Sequence, residues 1–319
     1  MKIFCFRRKV SACELFSRYM QERSREASWT QATRQINRTF LLHLENFGKG
    51  LALDGLNRER LSAFIGHLRQ NVGMEDSTVR KEFKILRAFL RWAQAAGYRV
   101  PEDAARFRPV FKMPLKPVVF LTRDELLTLY NFRIPPRSRH RSSLERARDL
   151  FCFCAFTGLR YSDMASIRRS DVVDGVLSVV TQKTNSRIEI RLPTYARAIL
   201  DKYADKLPAD GRALPVICNQ RLNMHLKEVC RLCGFDTPVH VTRFRAGRRE
   251  DVTVPKYSLI TSHCGRRTFI CLMLSIGIPP QVVMKFTGHS DYSSMKPYID
   301  ISEKSKADAI AAMEGVLGG

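Results

Sequence analysis

The chain has 319 residues, and its 54 Lys and Arg against 31 Asp and Glu give a formal net charge of +23. That excess argues against an acidic or disordered solvating chain and for a polyanionic partner, because each phosphate neutralised by a cationic side chain releases condensed counterions. With 45% hydrophobic residues the length suits two separate cores.

The start, MKIFCFRRKVSACELF, lacks the apolar core of a signal peptide, and no run approaches the ~20 apolar residues of a membrane span, so a soluble cytoplasmic protein with no membrane partner is expected. The nine cysteines show no disulfide framework. Cys152, Cys154, Cys230 and Cys271 fall in apolar periodic stretches, and the lone Cys230-x-x-Cys233 pair has no second pair with which to hold zinc.

Residues 11–97 carry an apolar period near 3.6 and read as helices at about 12–23, 30–47, 57–70 and 77–95. In the last of these, Arg80, Lys84, Arg87 and Arg91 share one narrow stripe, while Val79, Phe83, Ile85, Leu86, Phe89, Leu90 and Trp92 cover much of the remaining surface. Lys81 and Glu82 interrupt the pattern. A helix buried except for a cationic strip can present that strip to a phosphate backbone, so these four residues are candidate DNA contacts.

Residues 98–119 are rich in proline without helical period and suit an extended linker that lets the chain wrap a duplex. Residues 120–319 then read as a second domain. Thr122-Arg-Asp-Glu125 and Ser142-Ser-Leu-Glu145 both have the form of capping boxes. The second opens a helix from about 143 that ends at Gly158, a natural C-cap, placing Arg160 on the turn into a short helix at 161–168. Val176–Thr181 and the alternating Ile188, Ile190 and Leu192 read as two short strands, with Gln182-Lys183-Thr184-Asn185 in a mobile turn between them. Helices near 194–206 and 220–233 precede a basic strand pair around 239–245 and 251–255. Ser262 is the candidate N-cap of a helix running to Gly277, which puts His263 and Arg266 in a first turn whose amides and dipole favour a phosphate. A short helix after Pro279-Pro280 ends near Gly288, Tyr298 lies on the next one, and 303–316 reads as a terminal helix.

Three clusters in the second domain carry chemistry: Thr157-Gly158-Leu159-Arg160, Ser262-His263-Cys264-Gly265-Arg266-Arg267, and Gly288-His289 followed by Tyr298. Paired arginines with histidines nearby form an electrostatic clamp for a phosphate in transfer, and a tyrosine can attack it. With Lys183 in its turn, these motifs resemble, in order, spacing and residue type, those of the tyrosine recombinases or phage-type integrases, most closely those of bacterial mobile elements. The similarity extends over roughly the last two-thirds of the chain. Cys264-Gly265 departs from the commoner small apolar pair, and Thr287 stands where Leu often precedes Gly-His.

The resemblance implies a mainly α fold: a helical, SAM-like core-binding domain and an α+β catalytic domain with a small sheet, closing as a clamp on duplex DNA. It also implies site-specific strand exchange through a 3′-phosphotyrosyl intermediate, integrating or excising a mobile element. In that scheme Arg160 and Arg266 grip the non-bridging oxygens, Lys183 protonates the 5′-oxygen leaving group, and Tyr298 attacks phosphorus. His263 accepts the tyrosine proton or helps hold the phosphate, His289 hydrogen-bonds a non-bridging oxygen, and Asp163 steers Arg160. Arg267 reads as a structural or backbone-contacting residue, and Tyr292 is the rival tyrosine nearest in sequence. The linkage conserves phosphodiester energy, so no cofactor or metal is expected, and no P-loop or carboxylate cluster is present in the sequence. The implied partners are double-stranded DNA, three further copies of the chain in a tetrameric synaptic complex, packed through 303–316, and a host DNA-bending protein. Two other readings share these motifs: a type IB topoisomerase, against which the small domain at 11–97 argues, and a non-catalytic DNA-binding regulator, which has no use for the tyrosine.

Overall fold

The computed structural model describes residues 10–27, 29–114, 117–206, 211–289 and 291–302. The chain divides into two units, Met1–Lys116 with Val241–Val252, and Pro117–His240 with Thr253–Gly319. Among the described residues no helix is long and apolar enough to cross a membrane.

The first unit is built on α1 (Ala12–Glu26), α2 (Gln31–Gly48), α3 (Arg58–Gln70) and α4 (Asp76–Ala95). Thr30 and Asn57 start α2 and α3 by accepting bonds from the amides of Thr33 and Arg60 at 3.2 and 2.9 Å. Phe16, Phe40, Phe64 and Phe89, one from each helix, are fully buried. Phe16 meets Phe40 and Phe89 at centroid distances of 4.8 and 5.2 Å, and each ring removed from water contributes about 1.5–3 kcal/mol. Asp76, at the start of α4, is fully buried and held by the Arg69 fork at 2.9 and 2.6 Å. The segment after α4 contains a short helix, α5 (Glu102–Arg106), where the sequence suggested only extended chain. Pro101 precedes it as N-cap, Ala104 buries itself against the core, and Asp103 reaches back to the Arg58 amide at 2.9 Å.

On α4, Arg80, Lys84 and Arg91 are exposed and Arg87 is partly buried, with Val79, Phe83, Leu86, Phe89 and Leu90 turned inward. Glu82 does not break this stripe. It points into the interior and pairs with His43 at 3.2 Å.

In the second unit α6 (Arg123–Asn131) begins with the expected capping box between Thr122 and Glu125. The next helix, α7 (Arg141–Thr157), starts two residues earlier than expected, and Ser142 is not its cap. His140 occupies that position in a left-handed conformation, and Glu145 turns to Arg141 at 3.0 Å instead of reaching back to the backbone. Past the positive-φ Gly158 comes α8 (Tyr161–Ser166), followed by a three-stranded antiparallel sheet of β1 (Val172–Val173), β2 (Val176–Val180) and β3 (Arg187–Arg191) in that order. Leu177 faces Ile190 and Val179 faces Ile188, which puts the apolar alternation of both strands on one buried face. β1 was not anticipated, although Asp174-Gly175, both at positive φ, is a strong two-residue hairpin signal.

Helices α9 (Thr194–Tyr203) and α10 (Asn219–Leu232) follow, then β4 (Pro238–Arg245) and β5 (Arg248–Pro255), joined by Ala246-Gly247 with both residues at positive φ. This turn is tighter than the five-residue loop expected. The outer part of the hairpin belongs to the first unit, where Arg243 lies 3.6 Å from Glu75. The remaining elements are α11 (Ser262–Ser275), α12 (Pro280–Thr287) and α13 (Lys296–Ser302). The terminal helix expected at 303–316 lies outside the described residues.

The buried helix α7 is the axis of this unit. Phe151, Cys152, Phe153 and Cys154 are all but inaccessible, and α11 lies directly on them. That approach requires Gly265, because a Cβ there would stand 3.0 Å from the Phe151 carbonyl and 3.1 Å from the Cys154 Cβ. Cys152, Cys154, Cys230 and Cys271 are buried free thiols, as their apolar surroundings implied.

Candidate active site

The N-cap of α11 is Thr261 rather than Ser262. Thr261 and Cys264 form a reciprocal capping pair, with the Cys264 sulfur accepting from the Thr261 amide at 3.3 Å, so the unusual cysteine takes the place of the carboxylate in a capping box. Ser262, one residue inside the helix, is buried; its amide donates to Asn223 and its hydroxyl bonds Asn219, each at 2.7 Å. This anchors the first turn to α10. Cys264 and Gly265, the two departures in this motif, thus have distinct tasks: one closes the helix end and the other allows contact with α7.

From that turn Arg266 runs inward and is only 1% exposed. Its Nη1 donates to the Gly158 carbonyl at 3.1 Å, and its Nη2 donates to His289 Nε2 at 2.9 Å. Gly158 adopts the left-handed conformation that ends α7, and a Cβ there would lie 2.6 Å from the Phe269 ring. The chain then turns into Arg160, the N-cap of α8. Its guanidinium approaches Asp163 at 3.7 Å as an ion pair, and Arg160 Nη1 and Asp163 Oδ2 are buried without a hydrogen-bond partner. Asp163, fully buried, accepts from the Gln182 amide at 2.9 Å and so ties the Arg160 turn to the β2–β3 hairpin next to Lys183. Lys183 itself is exposed in that hairpin turn, where Asn185 takes a positive φ.

Burial first, and then the neighbouring cations, set the protonation of the site. Burial and the charge of Arg160 lower Arg266 to about 9, against the opposing influence of Asp163, Tyr298 and Cys154. Loss of hydration on its inner side, then Arg267, Arg266, Arg160 and Lys183, lower His263 to about 4. Burial of its ring, then Arg266, Arg160, His263 and Lys183, do the same to His289. Both rings are therefore neutral at pH 7 in the free protein.

His289 follows Gly288, which ends α12 in the left-handed conformation. Beside the ring is an open hollow of about 620 Å³ whose lining includes Arg187, Met284, Lys285 and Tyr292. Tyr298 is half-buried on α13 and packs into a small apolar cluster with Ile270, Leu274, Val283 and Met295, close enough to Arg266 to influence its charge. Tyr292 sits on a separate turn and is 51% exposed.

Arg160, Asp163, Lys183, His263, Arg266, His289 and Tyr298 thus converge within the second unit from four separate stretches of sequence. Arg80, Lys84, Arg87 and Arg91 belong to the first unit and take no part in this cluster. Sequence reasoning missed three participants: the Gly158 carbonyl and the Gln182 amide, which as backbone groups leave no compositional trace, and the Thr287 hydroxyl, which bonds His289 at 2.8 Å.

Comparisons with known proteins establish the family of this helical, two-unit chain, and with it a DNA strand-transfer enzyme. The phage integrase family profile matches residues 119–305, and the phage integrase SAM-like domain matches 11–107. The chain belongs to the phage integrase family, the tyrosine site-specific recombinases. It is 22% identical over 307 residues to a tyrosine recombinase of Thermosipho africanus, covering 93% of this chain and 97% of that protein. To the tyrosine recombinase XerC of Rhodospirillum centenum it is 25% identical, over 81% of this chain and 72% of that one. The fold is similar to a lambda integrase dimer bound to a COC′ core site, with a TM-score of 0.68 at 17% identity over 91% of this chain and 95% of that one. It is also similar to the Tn1549 transposon integrase in complex with circular intermediate DNA, with a TM-score of 0.66 at 14% identity over 91% and 95% of the two chains.

Proposed function

We propose that this recombinase cuts and rejoins double-stranded DNA through a 3′-phosphotyrosyl intermediate formed by Tyr298, and that it integrates or excises a mobile element. The observation that carries this reading is the charge of the site. Arg266 is buried without a carboxylate in bonding contact, Arg160 lies near it, and burial, reinforced by Arg266, Arg160 and Lys183, keeps two histidines neutral. A buried guanidinium held only by a carbonyl and an imidazole costs desolvation energy that a bound anion offsets.

A scissile phosphate supplies that anion. Arg160 and Arg266 take its non-bridging oxygens, with Asp163 holding the turn that carries Arg160. His289 bonds a non-bridging oxygen. Tyr298 attacks in line, its phenolic proton passing to neutral His263, while Lys183, on its exposed turn, protonates the departing 5′-oxygen. Rejoining runs the same steps in reverse, with the 5′-hydroxyl displacing the tyrosine. The α4 stripe of Arg80, Lys84, Arg87 and Arg91 holds the duplex backbone. Four copies act together on two duplexes in the cytoplasm, with a host DNA-bending protein assisting assembly. The likeness to a lambda integrase tetramer bound to a Holliday junction, at 18% identity and a TM-score of 0.65, supports the tetramer, and the Tn1549 likeness supports the mobile element.

The test is a suicide substrate that traps the covalent adduct. Wild type and Tyr292→Phe should give a species resistant to SDS and sensitive to protease, and Tyr298→Phe, which keeps the ring and its packing, should bind DNA and give none. An adduct persisting in Tyr298→Phe and mapping to another residue contradicts the assignment.

A further inference from the structure

Thr287, the last residue of α12, is fully buried although it is polar. Its Oγ1 lies 2.7 Å from the Val283 carbonyl and 2.8 Å from His289 Nδ1. A hydroxyl has one proton and a carbonyl has none, so the threonine proton goes to Val283 and the threonine oxygen accepts from His289 Nδ1–H. Arg266 can only donate, and its Nη2 lies 2.9 Å from His289 Nε2 and 3.3 Å from Nδ1, so it can serve whichever ring nitrogen carries the lone pair and does not itself choose between them. The shorter contact, to Nε2, agrees with a proton on Nδ1, and the choice of tautomer falls to Thr287.

We propose that Thr287 is a positioning residue: its buried hydroxyl holds the His289 proton on Nδ1, leaving Nε2 as the atom that takes up a second proton and grips the scissile phosphate. The inference rests on the reading that His289 bonds a non-bridging oxygen. An Nδ1–H imidazole offers the phosphate a lone pair, and two lone pairs repel. To bind it, the ring must gain a proton from solvent at Nε2, and the resulting imidazolium keeps both N–H groups bonded, one to Thr287 and one to phosphate. In the free protein that charge is opposed by Arg266 and His263 from α11, Arg160 from the α7–α8 turn and Lys183 from the β2–β3 hairpin, and the hollow beside the ring is lined by two further cations, Arg187 from that hairpin and Lys285 from α12. The ring is held at about 4 there, burial contributing most, and the incoming phosphate reverses the local sign. A charged ring in the complex is present below its raised pKa and lost as pH rises through it. Without the acceptor at Nδ1 the imidazolium is less favoured, and that loss comes at lower pH.

The experiment uses the full chain. Nitrogen-15 NMR of the histidine side chains reports the tautomer, with the His289 signals assigned by their disappearance in His289→Gln. Wild type and Thr287→Ser should show the proton on Nδ1, and the isosteric Thr287→Val should shift it to Nε2. In single-turnover cleavage of the suicide substrate, Thr287→Val should lose roughly tenfold at neutral pH, with the descending limb of its pH profile about one unit lower, the scale of one charge-assisted hydrogen bond. Thr287→Ser should restore both. An unchanged tautomer in Thr287→Val overturns the inference whatever its rate, and so does a uniform rate loss with an unmoved pH limb, which marks a packing role. No adduct from wild type at any pH would instead overturn the reading of the site itself.

Discussion

Replacing Arg266 by lysine tests whether this position needs a charge or specifically a guanidinium. Burial and Arg160 together lower Arg266 from 12.5 to about 9, so the arginine remains charged at neutral pH despite its surroundings. A lysine starts at ~10.4, and the same environment would carry it down to about neutrality. Near pH 7 a substantial fraction of Arg266→Lys molecules should then be uncharged. The sign is fixed: the cation is present below the lowered pKa and lost as pH rises through it. Geometry adds a second loss. Arg266 reaches the Gly158 carbonyl at 3.1 Å and His289 at 2.9 Å with two different nitrogens, and one ammonium does not reproduce that planar fork. Losing one preorganised donor of this kind costs on the order of 100-fold in rate. Cleavage of the suicide substrate at subsaturating protein reports the free enzyme, so rates should be followed from pH 6 to 9 under those conditions. Arg266→Lys should be at least about 100-fold slower than wild type at neutral pH and fall further as pH rises. A variant with the wild-type rate and the wild-type pH profile would refute the argument that burial makes arginine necessary here.

Gly265→Ala should destabilise the protein, since its Cβ would stand 3.0 Å from the Phe151 carbonyl in a contact between two packed helices. Overpacking of this sort costs about 1–3 kcal/mol, more than the better helix propensity of alanine returns, and a lowered urea midpoint would show it, whereas an unchanged midpoint contradicts the close approach. On α4, Lys84→Ala and Arg87→Ala should each weaken DNA binding and reduce the slope of log affinity against log salt by about one, while unchanged slopes in both would return the stripe to a solvated face.

Much of the site was legible in the sequence because its side chains sit in short local motifs. The left-handed Gly158, the turn at Arg160 and the first helical turn of α11 are each set by residues within a few positions of one another, and local propensity suffices to place them. The shift of the α11 cap from Ser262 to Thr261 shows where that reasoning weakens. Thr261 and Ser262 could each cap the helix on propensity alone, and Asn219 and Asn223 of α10, by engaging Ser262 at 2.7 Å, decide which one does. Ser142 failed as a cap for a related reason, since Glu145 found Arg141 instead. Glu82 was read as a flaw in a basic stripe because its partner, His43, comes from a different helix.

Composition, periodicity and motif order were enough to determine a basic, mainly helical two-part chain and the residue types of its chemistry, because charge and amphipathic period are additive properties of the chain itself. The tertiary structure alone decided the state of those residues. Arg266 becomes a buried cation between Gly158 and His289 only when α7, α11 and the end of α12 are packed together, and burial of a charge is a property of the packed surroundings that neither its own residue type nor its neighbours in sequence specify. Thr287, a substitution of no evident consequence in the sequence, acquires its role because the last turn of α12 buries its hydroxyl beside Nδ1 of His289, with Arg266 placed to donate to the same ring.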